Sequence, residues 1–297
     1  MHLPDAFITN IRNVFAGEGE KFLADLRSLI EQAARRWGLT DIEPLENLSY
    51  HFVASARQNG GQVILKIGVP QDELTSQIET LRVYDGRGAC RLLDADEEQG
   101  MLLLERLKPG RMLAELEDDE RATGIAAQGM RQLWRPPPQT GKFIPLTKWF
   151  DGLQQLRGGP LPGRMVEKAV GLARELFAEG RPDVLLHGDF HHYNVLESER
   201  GWLAIDPKGV IGPAGYEVGP FLINPFDLLK RPNPVQVTER RIAILAEGLG
   251  FEREYVQAWG IAHAVLSASW SLEKQEDYDG WAEHSIRCAE VIGTAKI

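Results

Sequence analysis

The sequence predicts an α+β protein of two unequal lobes, and three observations carry the prediction. Helix-like and strand-like patterns alternate over the first hundred or so residues, helical periodicity dominates the rest, and Lys108-Pro109-Gly110 punctuates the change. The chain has 297 residues, which at roughly 150 residues per domain leaves room for two such lobes.

Residues 21–37 place Phe22, Leu26, Leu29, Ala33 and Trp37 at helical spacing, and Gly38 then stops the helix. Two apolar, β-prone stretches, 48–56 and 62–67, flank the turn-rich segment 57–61 and read as a hairpin. Residues 72–84 are helical, with Leu74, Ile78 and Leu81 on one face, and the short strands 89–94 and 101–107 follow. The expected division is therefore an N-lobe over 1–107 and a C-lobe over 108–297, with a hinge near 105–110. In the C-lobe, residues 112–133, 146–156, 164–179, 238–249 and 252–273 have helical patterns, and Pro136-Pro137-Pro138 must lie outside helix. One β-like island, 184–207, interrupts them with apolar runs at 194–196 and 202–205.

The net charge of −10 disfavours nucleic acid, whose phosphates an acidic surface repels, and favours cationic small ligands. Cys90 and Cys288 form no C-x-x-C pair and read as free thiols. With no run of about 18 apolar residues and no signal-like N-terminus, the expected location is cytoplasmic, with no membrane partner. Oligomeric state is not legible.

The chemistry concentrates in the island. His187, Asp189 and Asn194 form H-x-D-x-x-x-x-N, and Asp206 ends the apolar strand 202–205 after a short hairpin. By composition this spacing arises by chance on the order of once in a hundred chains of this length, so the match carries information. Phosphoryl transfer requires a carboxylate beside the acceptor hydroxyl, together with an Asn and a second Asp whose oxygens hold Mg²⁺ against the phosphates. Asp189 is the candidate base, and Asn194 and Asp206 are the candidate metal ligands.

The block HGDFHHYNVLESERGWLAIDPKG resembles the catalytic segment of the aminoglycoside phosphotransferases, and more narrowly the streptomycin 6-phosphotransferase or aminoglycoside/hydroxyurea resistance kinase branch. Residues 84–93 and 102–107 resemble that branch's N-lobe signature and its run into the hinge. The resemblance implies a protein-kinase-like two-lobed fold, with a small mixed α/β N-lobe, a larger mainly helical C-lobe and ATP between them. It implies that Lys66 contacts the α- and β-phosphates, a task suited to a point charge. The lysine's ion-pair partner would be Glu79, with Glu73 as the alternative, and Glu105 to Leu107 would offer backbone groups to adenine. His187 would brace the loop. No G-x-G-x-x-G precedes Lys66, so the 47–50 turn, with Ser49, would cover the phosphates.

For the acceptor, the candidates are Glu217, Asp227 and Trp281, the last in the aromatic and acidic stretch 276–283, which reads equally as a solvated loop. They suit a cationic or neutral polyhydroxylated molecule; the resemblance implies a streptomycin-like or hydroxyurea-like acceptor, with resistance as the outcome. Choline, homoserine and methylthioribose kinases share the fold, so a metabolite hydroxyl is the alternative. Lys208 reads either as a phosphate-neutralising cation or as a surface lysine, and His191 and His192 either line the site or fill the loop. A rival reading takes His187, Asp189, His191 and His192 as a hydrolase metal cluster, but leaves Lys66, Asn194 and Asp206 without roles. A pseudokinase is hard to reconcile with every expected catalytic position being filled.

Overall fold

In a computed structural model, residues 3–46, 48–155, 161–273 and 280–297 are described. Helix α1 (Asp5–Trp37) starts well before the expected 21–37, because Phe7 and Ile11 add a second buried stretch; it breaks at Ala16 and ends at left-handed Gly38. Strands β1 (Thr40–Pro44), β2 (Phe52–Gln58) and β3 (Gly61–Ile67) follow, then α2 (Asp72–Tyr84), β4 (Leu92–Asp96) and β5 (Met101–Glu105). These strands form one antiparallel sheet in the order β1-β2-β3-β5-β4.

Strand alternation decides what each face carries. Val63, Leu65, Ile67 and Leu103 pack with Leu26 and Ala33 of α1 in one core. Ile64, Leu102 and Leu104 face the other way and join α2 and the C-lobe in a second core. Lys66 has the parity of Ile64, so the sheet turns it toward the cleft.

Strand β6 (Pro109–Met112) follows the Glu105 end of the sheet and pairs with β9 (Val195–Ser198), so the chain has already joined C-lobe structure at Pro109. The expected helix 112–133 is two elements: a single 3₁₀ turn and then α3 (Asp119–Leu133), whose start is set by Asp118 accepting the Arg121 N–H at 3.0 Å. Next come β7 (Ile144–Pro145), α4 (Leu146–Gln155), α5 (Gly163–Ala178) and β8 (Asp183–Leu186). The β9 hairpin with β10 (Gly201–Ala204) and strand β11 (Val210–Pro213) complete the island. Helices α6 (Val218–Leu222), α7 (Pro234–Leu249), α8 (Arg253–Glu273) and α9 (Trp281–Thr294) finish the C-lobe. Two small sheets, β10-β9-β6 and β7-β11-β8, hold the candidate loops between them. Among the described residues, no helix is long and apolar enough to cross a membrane.

Candidate active site

The loop between β8 and β9 carries Asp189 and Asn194, and Asp206 lies two residues past the end of β10. Their mutual position is set by short local bonds. The Asp189 N–H donates to His187 Nδ1 at 3.2 Å, and His187 Nε2 lies 2.8 Å from the Ile205 carbonyl. A ring that accepts at Nδ1 must carry its proton at Nε2, so His187 ties the Asp189 loop to the strand that presents Asp206. Burial depresses the His187 pKa to about 4, which keeps the ring neutral. The Ile205 N–H in turn donates to the Asn194 carbonyl at 2.9 Å. Asp206 adopts φ +58°, a left-handed conformation that Asp tolerates better than most residues and that lets its carboxylate leave the strand toward the cleft.

Asn194 Nδ2 donates to the Asp189 carbonyl oxygen at 3.0 Å and lies 3.4 Å from Asp189 Oδ2, so its amide oxygen is the atom left for a cation. Lys66, only 2% exposed, places Nζ 3.1 Å from Asp206 Oδ1. Burial pushes both carboxylates upward, but their neighbours outweigh it: His191, which also hydrogen-bonds the carboxylate, and Lys208 hold Asp189 well below the usual range, and Lys66 lowers Asp206.

Two adjoining cavities meet at Lys66 and Asp206. One, of about 490 Å³, is a mainly apolar slot walled by Val53, Ile64, Leu104, Leu107, Leu196 and Ile205. The other, of about 300 Å³, is polar and lined by Ser49, His51, Glu73, Asp189, Asn194 and Lys208, among others. An apolar slot opening onto a carboxylate-rich chamber suits a flat heterocycle joined to an anionic chain that a cation bridges.

Several expectations need correction. Glu79 does not pair with Lys66; its carboxylate accepts the Lys142 N–H at 2.6 Å. The alternative, Glu73, binds Lys208 across the polar cavity, and the ion partner of Lys66 is Asp206. Glu73 and Glu79 are six positions apart on α2, so they point to different neighbours. Glu105 does reach the slot, but its N–H already donates to the Arg91 carbonyl at 3.0 Å and its side chain pairs with Arg200. These bonds occupy its N–H and carboxylate, and Arg106 and Leu107 line the slot beside it.

The acceptor candidates do not line the cavity that contains Asp189. Glu217 is fully buried beneath the loop and accepts the N–H groups of His187 and Gly188, both at 2.8 Å. Asp227 is exposed and lies 3.7 Å from Arg231. Trp281 opens α9, stacks on Phe226 and donates its indole N–H to Ser267 at 2.9 Å. Residues 276–279 of that stretch, and Asn47 of the 47–50 turn, lie outside the described residues.

The hydrolase cluster also comes apart. His187 is committed to backbone, and His192 is buried and stacked on Phe221 at 4.0 Å, leaving only His191 beside Asp189. Among the described residues, no group of three or more His, Cys, Asp or Glu is placed to hold a metal. The sequence reading also missed Trp149 of α4, whose Cη2 lies 3.3 Å from where a Gly188 Cβ would stand and which packs edge-on against Trp270. Its place in a regular amphipathic run gave no sign of this.

Burial raises the Glu217 pKa from 4.5 to about 7 despite its two N–H donors. The folded state thus holds this proton more tightly than the unfolded chain, so the contribution to stability is full below the unfolded value and is lost as pH rises through the folded one. Glu217→Gln is expected to gain stability relative to wild type between about pH 5 and about pH 7.5. Denaturant midpoints of the two proteins measured across that range check this; a constant difference contradicts it.

The chain resembles known proteins along most of its length. Residues 36–275 match the family model described as aminoglycoside/hydroxyurea antibiotic resistance kinase. The streptomycin 6-kinase of Streptomyces glaucescens is 30% identical over 290 residues, covering 92% of each chain. The hydroxyurea phosphotransferase of Kitasatospora aureofaciens is 32% identical, covering 92% of this chain and 81% of its own. Among solved structures, the choline kinase LicA from Streptococcus pneumoniae superposes with a TM-score of 0.68 at 13% identity, covering 91% of this chain and 99% of its own. That likeness shows the protein-kinase-like two-lobed fold.

Proposed function

Because the chain belongs to the aminoglycoside/hydroxyurea antibiotic resistance kinase family, we propose that it transfers the γ-phosphoryl group of ATP to a hydroxyl of a streptomycin-like aminoglycoside. The observation that carries this reading is the convergence of Asp189, Asn194, Asp206 and Lys66 on one polar cavity continuous with an apolar slot. Relatives named as streptomycin 6-kinases that match 92% of the chain support the acceptor class, and so does the acidic balance of the chain.

Adenine takes the slot, and Lys66 meets the α- and β-phosphates. Asn194 and Asp206 offer hard oxygen ligands but too few for a closed protein-only cage, which fits Mg²⁺ completed by phosphate oxygens and water. Bound there, Mg²⁺ would supply neutralisation of the phosphate charge. Asp189 orients the acceptor hydroxyl. It takes the hydroxyl proton late, as a loose transition state permits.

The test is a screen with Mg²⁺ and ATP against streptomycin, other aminoglycosides, hydroxyurea, choline and methylthioribose. A gain of about 80 Da, the mass of one transferred phosphoryl group, is expected first on streptomycin. A gain confined to choline or methylthioribose favours the metabolite alternative.

A further inference from the structure

We propose that Lys208 is a catalytic residue whose ammonium contacts the γ-phosphoryl group as it passes from ATP to the acceptor. This rests on the phosphotransfer reading above and adds a fifth side chain to Asp189, Asn194, Asp206 and Lys66.

The division of labour between the two lysines follows from where each sits. Lys66 borders both cavities and is tied to Asp206, so it serves the phosphates nearest the slot. Lys208 borders only the polar cavity, on the side of Asp189. Its backbone N–H donates to the His187 carbonyl at 2.7 Å, which fixes it against the loop that carries Asp189. Between the two stands Gly188, at φ +83°, where an added Cβ would come within 3.2 Å of Lys208 Cβ and 2.7 Å of Val210. The absence of a side chain there lets the lysine stem lie directly on the loop. The stem is half-buried, and its ammonium reaches across the cavity to Glu73 in the first turn of α2. The charge is thus held over the chamber and does not lie out in solvent.

In the transfer, the acceptor hydroxyl oxygen forms a bond to the γ-phosphorus and its proton passes to Asp189. The bond from that phosphorus to the β,γ-bridging oxygen breaks, and its electron pair leaves on ADP. Lys208 remains protonated throughout, donating to a non-bridging γ-oxygen. A preorganised cation at that position acts most strongly where charge moves, so its removal affects turnover more than binding.

An ion pair that merely braces α2 against the C-lobe would give the same static picture, and two variants separate the readings. Lys208→Met removes the cation, whereas Glu73→Gln breaks the same pair and keeps it. We expect Lys208→Met to lower kcat about a hundredfold with streptomycin, while ADP affinity stays within about threefold of wild type. Glu73→Gln should remain at least about tenfold more active than Lys208→Met. Equal losses in the two variants, or ADP affinity falling in step with kcat, overturn the inference. If Lys208→Met does not fold, Lys208→Arg must outperform Lys208→Gln, since only the former keeps the charge; equal rates overturn the inference. A wild type that phosphorylates no acceptor overturns the phosphotransfer reading and this inference with it, whereas an active wild type with equal losses overturns this inference alone.

Discussion

Asp189→Asn is expected to lower kcat by roughly a thousandfold, within the span that positioned general bases supply, while leaving ADP binding nearly intact. The cause is both chemical and geometric. The carboxylate accepts the acceptor proton, and an amide does not. In addition, Asn194 Nδ2 now sits 3.4 Å from Asp189 Oδ2, so the new amide must aim its single oxygen there or one of the two amides must turn away. If Asn194 turns, its oxygen leaves the cavity and cation binding weakens too. Steady-state kinetics together with an ADP titration separates the steps: kcat falls, and the ADP affinity measured without Mg²⁺ does not. Turnover close to wild type contradicts the role given to Asp189.

The largest expected loss of stability lies away from the cavity. Arg241 of α7 is fully buried, binds Asp119 through Nε at 2.9 Å and Nη2 at 2.6 Å, and donates to the Asn224 carbonyl at 2.6 Å. It also lies over Phe221 and within 3.4 Å of His192 Nε2, so the network reaches the loop that carries Asp189. Arg241→Leu leaves the Asp119 carboxylate, among the described residues, with Arg231 alone for its charge, and removing one partner from a buried pair costs about 3–5 kcal/mol. That corresponds to a fall in Tm on the order of 10 °C. Replacing both members by apolar residues, Asp119→Leu with Arg241→Met, is expected to cost less than Arg241→Leu alone.

Acid provides an independent check on the same network. Burial pushes the Asp119 pKa up, but Arg241 and Arg231 more than compensate and hold it below 3.8. Its contribution is therefore present above the unfolded carboxylate value and is lost as pH falls through the folded one. The stability gap between wild type and Arg241→Leu should narrow in strong acid, as urea midpoints will register. A gap independent of pH contradicts the pairing.

What could be read in the sequence follows the range of the interactions. Asp189, Asn194 and Asp206 were legible because a single loop and hairpin bring them together, and Lys66 because its strand resembles the lysine-bearing strand of the kinase family and its apolar neighbours Leu65 and Ile67 argue against a solvated lysine. Glu217 was misplaced because its partners, the N–H groups of His187 and Gly188, lie about thirty residues back, and nothing local separates a loop-bracing glutamate from a ligand-facing one. Glu73 and Lys208 are 135 positions apart, beyond any local pattern. Short strands such as β1 and β8 lack the length to show alternation, and the start of α3 was overrun because the 3₁₀ turn before it continues the apolar spacing. Helix α9 was passed over because the aromatic and acidic residues before Trp281 drew attention to a loop.

The central claim is that this cavity moves a phosphoryl group from ATP to a small-molecule hydroxyl. The most direct measurement is a parallel count of ADP formed and phosphorylated streptomycin produced by the wild-type protein with Mg²⁺. The account predicts one ADP for each streptomycin that gains about 80 Da, with both signals lost in Asp189→Asn. ADP formed without any phosphorylated acceptor, or a product that Asp189→Asn makes equally well, would contradict it.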